Sequence, residues 1–452
     1  MENLQLYFAI LSGVAVLLFL IMKWKLNAFL SLLFASIWVG LICGLSGQEI
    51  IDSIAKGMGD TLAFVATIVG LGAIFGAILE HSGGAQALAQ FLLKKGGESR
   101  SRLALLTTGF IVSIPVFFDV GIIILMPLVK ALSKKSNRHL LYYGLPLLTG
   151  LGITHSFIPP TPGPVAVADI LQVDLGYAIV IGSMIGIPIA LLTGLVISKK
   201  LVPPTNLSDP DLPQQANDQV ENIFNPKLVR TIFWVLGLPI FLILLGSLLN
   251  TLANESIIER SNWVEAAAFI GHPFVSLLIG TLLALYYLGI KKGLNKEELF
   301  KISSDSLAPA GSIILITGAG GVLKTVMINT GIGDIIAQGM LETSFSVLLL
   351  AYLVTVLVRI MQGSATVAML TGAGIVAAVL PGIELSMIEK TFVMMAIAAG
   401  SIVLSHVNDS GFWLVNRILG QSVQETLRSW TIQSTMISVS SFLLIFIIYQ
   451  FL

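Results

Sequence analysis

Thr154-His155-Ser156-Phe157-Ile158-Pro159-Pro160-Thr161-Pro162-Gly163-Pro164 lies inside an otherwise apolar stretch of the chain. Four prolines within about one and a half helical turns cannot stay α-helical, because each removes an amide donor and crowds the preceding turn. Three other stretches share this character: Ile114-Pro115-Val116-Phe117-Phe118-Asp119, Gln362-Gly363-Ser364-Ala365-Thr366 and Ser405-His406-Val407-Asn408-Asp409-Ser410-Gly411. Within a membrane, non-helical backbone is tolerated only where it is buried in protein or lines a cavity. If the surrounding runs are transmembrane, these four places are where chemistry must sit.

The composition says that they are. Of 452 residues, 55% are hydrophobic and 11% are charged, and mean hydropathy is +0.92. An ordinary soluble domain has roughly 25% charged residues, so this chain lacks the charge to cover a water-exposed surface. Formal net charge is zero, which provides no basic field for nucleic acid. The lone Cys43 excludes an intrachain disulfide framework and a cysteine metal cluster. The apolar runs are long and rich in Leu, Ile and Val, unlike the short alternating strands of a membrane β-barrel. The expected fold is all-α and polytopic.

Candidate spans are 4–22, 26–45, 61–79, 175–197, 228–249, 264–290, 307–327 and 431–452. The first reads as a transmembrane helix in preference to a removable signal peptide, having no basic residue before it and no small-residue cleavage site after it. The stretches 103–130, 140–174, 344–380 and 391–420 are apolar but interrupted. Lys and Arg cluster at Lys23/Lys25, Lys94/Lys95/Arg100/Arg102, Lys130/Lys134/Lys135/Arg138, Lys199/Lys200 and Lys291/Lys292/Lys296/Lys301. These clusters are expected in the cytoplasm, and the connections 46–60, 250–262 and 381–390 outside. Segment 103–130 has basic clusters at both ends and is too short for two spans of roughly 20 residues. It is expected to be a re-entrant hairpin entering from the cytoplasm, with its tip at Pro115–Asp119; the structural alternative for Asp119 is a cap on a helix that begins at Val120, which would not exclude a role in the site.

A shift of about 250 residues aligns weak internal matches. His81-Ser82-Gly83 falls over Asn329-Thr330-Gly331, and the hairpin at Asp119 falls over Gln362–Thr366. Internal symmetry of this kind is a mark of secondary transporters. The expected organisation is a first repeat over 1–198, a polar cytoplasmic linker over 199–227 and a second, inverted repeat over 228–452. The second hairpin, 344–380, is then expected to enter from outside. The total is about ten crossings and two re-entrant hairpins.

Helix ends left at the midplane would supply free N–H groups for an anion and free carbonyls for a cation. Candidate substrate-binding residues are Ser156, Thr161, Gly163, Arg359, Gln362, Gly363, Ser364, Thr366, Asn408 and Ser410. Candidate proton-coupling residues are Asp409, Asp119, His155 and His406. Each has a structural alternative: the histidines as satisfied core residues, Ser364 and Thr366 as small residues permitting close packing, and Arg359 as a counter-ion for an aspartate. Asp409 is placed ahead of Asp119 as proton carrier, because Asp119 suits a helix cap. The sequence has no His-Glu-x-x-His, Gly-x-Ser-x-Gly or Gly-Lys-Ser/Thr motif. An ATP motor is thus not visible, no cofactor or metal is expected, and a membrane-embedded aspartate hydrolase is the alternative from another class.

The same residues carry a family resemblance. Pro115-Val-Phe-Phe-Asp119 with the run to Pro127, His155–Pro164, Arg359-Ile-Met-Gln-Gly-Ser-Ala-Thr-Val-Ala368 and Ser405–Trp413 resemble the gluconate permease family of the ion transporter superfamily, nearly end to end. The resemblance implies a proton symporter for gluconate or a similar small sugar acid, or in one branch D-serine. It also implies an elevator-like homodimer in the inner membrane, whose partners are a small organic anion, protons and lipid.

Overall fold

The computed structural model describes residues 2–203, 225–332, 335, 337–338 and 346–452. Among them every regular element is helical. The first half contains α1 (Glu2–Met22), α2 (Ala28–Ile42), α3 (Gly47–His81), α4 (Gly84–Gly96), α5 (Ser101–Val112), α6 (Phe118–Ser136), α7 (Leu140–Phe157), α8 (Pro162–Leu171) and α9 (Leu175–Lys200). The second half contains α10 (Pro226–Asn254), α11 (Asn262–Gly271), α12 (Pro273–Lys292), α13 (Lys296–Asn329), α14 (Val347–Gln362), α15 (Ala365–Val379), α16 (Met387–Ser401), α17 (Ser410–Ile418) and α18 (Val423–Tyr449). Most of the expected linker, 204–224, lies outside the described residues.

Elements recur in the same order in the two halves. A very long helix (α3, α13) ends in a left-handed glycine, Gly83 at φ +67° and Gly331 at φ +70°. A helical hairpin follows (α5–α6, α14–α15), then a helix interrupted in mid-course (α7–α8, α16–α17), then a helix containing a π-turn, at Leu192–Ile197 in α9 and Leu427–Thr431 in α18.

Seven helices among the described residues are long and apolar enough to cross a membrane. Helices α3 and α13 have 35 and 34 residues, about 50 Å each, against a hydrocarbon core of roughly 30 Å. Both begin well before the apolar runs expected from sequence. Their polar first turns are closed by capping boxes, Ser46 with Glu49 and Asn295 with Glu298, which satisfy otherwise orphaned amides. The two helices make the most extensive helix–helix contact among the described residues. A Cβ on Gly57 would stand 2.7 Å from the Gly321 carbonyl, so only glycine permits this backbone approach.

The expected span 264–290 is not one helix. His272 is extended (φ −60°, ψ 135°) and Pro273 starts a new helix, because proline disfavours the α conformation in the residue before it. Arg102, counted from sequence among cytoplasmic basic residues, is 8% exposed. It donates to the Leu195 and Gly194 carbonyls at 3.0 and 3.3 Å, to Ser198 Oγ at 2.6 Å and to the Tyr142 carbonyl at 3.1 Å. It thus serves carbonyls that the π-turn of α9 leaves poorly paired.

The centre of the molecule is α7, α8, α15 and α16, whose residues are buried nearly all round. Large apolar side chains such as Trp234, Phe241 and Phe269 are exposed on the peripheral helices α10 and α11. Helices apolar on every side suit a bilayer surround. The four sequence stretches that break helical backbone lie at the start of α6, the end of α7 and the starts of α15 and α17.

Candidate functional site

Four helix ends meet at a cavity of about 320 Å3. Phe117, Phe118, Asp119 and Val120 come from the start of α6, and Gly152, His155 and Ser156 from the end of α7. Ser364, Ala365 and Thr366 come from the start of α15, and Asp409, Ser410 and Gly411 from the start of α17. Arg359 of α14, Pro309 and Ile313 of α13, Ile402 and Trp430 complete the wall. Three helix N-termini therefore end at one cavity, each contributing the positive end of its helix dipole.

The local causes differ at each end. Pro115 ends the α5 turn, and α6 restarts at Phe118 after an extended Phe117 with no side-chain cap. Asp119 is therefore inside the first turn of α6, and it does not cap a helix starting at Val120. It is exposed, and no hydrogen bond or ion pair joins its side chain to the described residues. Asp409 is the residue that caps: it is the N-cap of α17, its Oδ1 accepting from Gly411 N at 2.9 Å. The capping role offered for Asp119 is thus filled at Asp409 instead.

Arg359 is 3% exposed and Asp409 8%. Arg359 Nη2 donates to Asp409 Oδ2 at 2.6 Å, and Nε donates to the Val403 carbonyl at 3.3 Å. The same Oδ2 accepts from Ser405 Oγ at 2.5 Å, and Ser405 Oγ accepts from Trp430 Nε1 at 2.9 Å. Trp430 in turn stacks on Phe118, ring centres 5.6 Å apart and planes 23° apart. Among the described residues, Arg359 Nη1 is buried with no partner, as is His155 Nδ1. A buried donor left unpaired is costly, and in a native site it calls for an explanation such as an absent ligand.

Of the candidate residues, the structure gathers Asp119, His155, Ser156, Arg359, Ser364, Thr366, Asp409 and Ser410 around the cavity. Thr161, Gly163, Gln362, Gly363, His406 and Asn408 stand off it. Thr161 Oγ1 donates to the Ile158 carbonyl at 2.6 Å, and Gly163 faces Met369. Gln362 Oε1 accepts from Ser364 N at 2.7 Å. His406 Nε2 and Asn408 Nδ2 reach the Ile360 carbonyl at 3.0 and 2.9 Å. Gly363 has φ +91°, and the Asn408 carbonyl occupies the place of any Cβ. These residues shape the second hairpin tip and the first helix break. Sequence reasoning missed Phe118, Trp430, Pro309 and Ile313, whose aromatic or apolar character looks like ordinary span residues. A second cavity of about 500 Å3 adjoins the first, sharing Phe117, Val120 and Pro309 with it, and is lined further on by Glu80, His81, Lys301 and Asp305. Among the described residues no group of three or more His, Cys, Asp or Glu could hold a metal ion.

Residues 4–452 match the family described as GntP family permease. The chain belongs to the GntP permease family. A gluconate permease of Pseudomonas aeruginosa is 36% identical over 94% of this permease and 93% of its own length. The Gnt-II system L-idonate transporter of Escherichia coli K12 is 36% identical, covering 96% and 97%. The low-affinity gluconate transporter of the same organism is 34% identical over 100% of both chains. The YdaH transporter of Alcanivorax borkumensis has the same fold, with a TM-score of 0.59 at 15% identity, covering 90% of each chain. The permease is thus a multi-pass membrane transport protein of the plasma membrane, not an enzyme, and the hydrolase alternative falls.

Proposed function

We propose that this permease imports gluconate or a similar small sugar acid together with protons, binding it in the cavity between the four helix ends. One observation carries the reading: Arg359, whose Nη1 is buried without a partner among the described residues, lines a cavity where three helix N-termini converge. A carboxylate there would accept from Nη1 and lie in the positive field of the N-termini. Ser156, Ser364, Thr366 and Ser410 would bond the hydroxyls of a polyol chain as it sheds its water. The relatives named for gluconate and L-idonate support this substrate class.

The proposal extends to the architecture. Residues 1–198 and 228–452 act as inverted repeats, and the hairpins α5–α6 and α14–α15 enter from opposite sides. The unit carrying the site moves against α3 and α13 in an elevator-like cycle, within a homodimer. The recurring element order and the basic flanks of the first hairpin support it. The test is counterflow of labelled gluconate in proteoliposomes, with gluconate, L-idonate and D-serine as unlabelled competitors. Exchange of label competed by sugar acids is expected. No exchange, or competition by D-serine alone, overturns the substrate assignment.

A further inference from the structure

The ionisable groups around the cavity are Asp119, His155, Arg359 and Asp409. Two of them cancel, since Arg359 and Asp409 are in contact at 2.6 Å and Asp409 is also held by Ser405 and by the first turn of α17. The Asp409 carboxylate is thus already committed to three protein partners. His155 approaches Phe118, ring centres 6.4 Å apart, and its Nδ1 is buried without a partner. A doubly protonated ring would leave an N–H unsatisfied there, so the neutral ring fits. That leaves Asp119, an exposed carboxylate that no partner among the described residues neutralises.

With Asp119 ionised, the cavity carries one net negative charge. A volume of about 320 Å3 keeps any bound anion within a few ångströms of every wall. Two like charges about 6 Å apart at an effective dielectric near 20 weaken binding roughly hundredfold. An anion therefore binds well only when Asp119 has taken up a proton.

Resting on the sugar-acid reading above, we propose that Asp119, not Asp409, is the group whose proton accompanies the substrate, and that Arg359–Asp409 is a fixed anchor for the substrate carboxylate. The proton comes from water onto an Asp119 carboxylate oxygen as the anion enters, and returns to water after the anion leaves. A release route adjoins it. Phe117 and Val120, either side of Asp119 in sequence, line both the site and the larger second cavity. The titratable and charged groups that share the cavity with Asp119 are His155 on α7, Asp409 on α17 and Arg359 on α14. From α3 and α13, Glu80, His81, Glu298, Lys301 and Asp305 line the second cavity and not the first.

The experiment is gluconate binding to the purified full-length permease by calorimetry, across pH and in two buffers of different ionisation heat. Wild type is expected to take up as much as one proton per gluconate, with apparent Kd rising by up to about tenfold per pH unit across a window of about two pH units and level above it, because the charge on Asp119 weakens binding only about hundredfold. Asp119→Asn is expected to bind with no proton uptake and a flat pH profile. Asp119→Ser repeats the test if the Asn variant does not fold, and Asp119→Glu should restore the slope. Wild-type proton uptake in either neutral variant overturns the assignment of Asp119 while leaving the transport reading intact. Absence of gluconate exchange by wild type overturns the transport reading itself.

Discussion

Replacing Arg359 by lysine separates the ion pair that the guanidinium makes with Asp409 from the substrate contact proposed for it. Nη2 holds Asp409 at 2.6 Å and Nη1 has no partner among the described residues. A lysine ammonium can follow the same path and keep a charge against Asp409, but it lacks the planar fork that presents a second donor in a fixed direction. The protein should fold, and the substrate carboxylate should lose one charge-assisted hydrogen bond of about 1.5–3 kcal/mol. That is a loss of roughly tenfold to 150-fold in affinity. Arg359→Gln is a different perturbation. It leaves the Asp409 carboxylate buried without its counter-ion, which costs about 3–5 kcal/mol of stability. Calorimetric titration with gluconate measures the first effect, and thermal unfolding in detergent measures the second. A folded Arg359→Lys protein with gluconate affinity within twofold of wild type would refute the role given to Nη1. Equal thermal stability of Arg359→Gln and wild type would refute the structural role of the pair.

Ser364→Ala and Thr366→Ala should each weaken gluconate binding by about tenfold to a hundredfold, from a lost hydroxyl partner worth roughly 1–3 kcal/mol. Thr161→Ala, whose hydroxyl is committed to the Ile158 carbonyl off the cavity, should bind within about twofold of wild type, and the same titration decides all three. Single cysteines at Val116 and Ala365 should be modified by membrane-impermeant thiol reagents from opposite sides of the membrane; modification of both from one side only removes the inverted-hairpin arrangement. Gly57→Leu forces a side chain into the Gly321 backbone and should abolish the monodisperse peak in size-exclusion chromatography, whereas a normal elution profile would show that α3 and α13 can separate at no cost.

The broken stretches were legible because polar and helix-breaking residues have few reasons to occur inside apolar runs. The cavity collects a residue from each of the four. What sequence could not resolve was decided by one or two residues of helix start. Whether Asp119 or Asp409 caps depends on where the backbone after Pro115 re-enters the helix, and propensity does not resolve boundaries that finely. Helices α3 and α13 were underestimated because Glu49, Asp52, Lys56 and Asp60, and their counterparts from Glu297 to Asp305, depress hydropathy over the first turns. The capping boxes at Ser46 and Asn295 were nonetheless readable. Trp430 escaped notice because it belongs to the site only through its stacking on Phe118 and its bond to Ser405, contacts between segments far apart in the chain.

The closeness of Arg359 and Asp409 has an electrical consequence. Membrane potential does work on net charge displaced across the bilayer, roughly 2.3 kcal/mol per elementary charge per 100 mV. A cation and an anion joined at 2.6 Å travel as a neutral unit, so voltage pulls on the pair hardly at all, however far it moves. In the proposed symport cycle the monocarboxylate would add one negative charge and its proton would remove it. A pH step should therefore drive accumulation in proteoliposomes, while a potassium diffusion potential of 100 mV at equal pH should leave it unchanged.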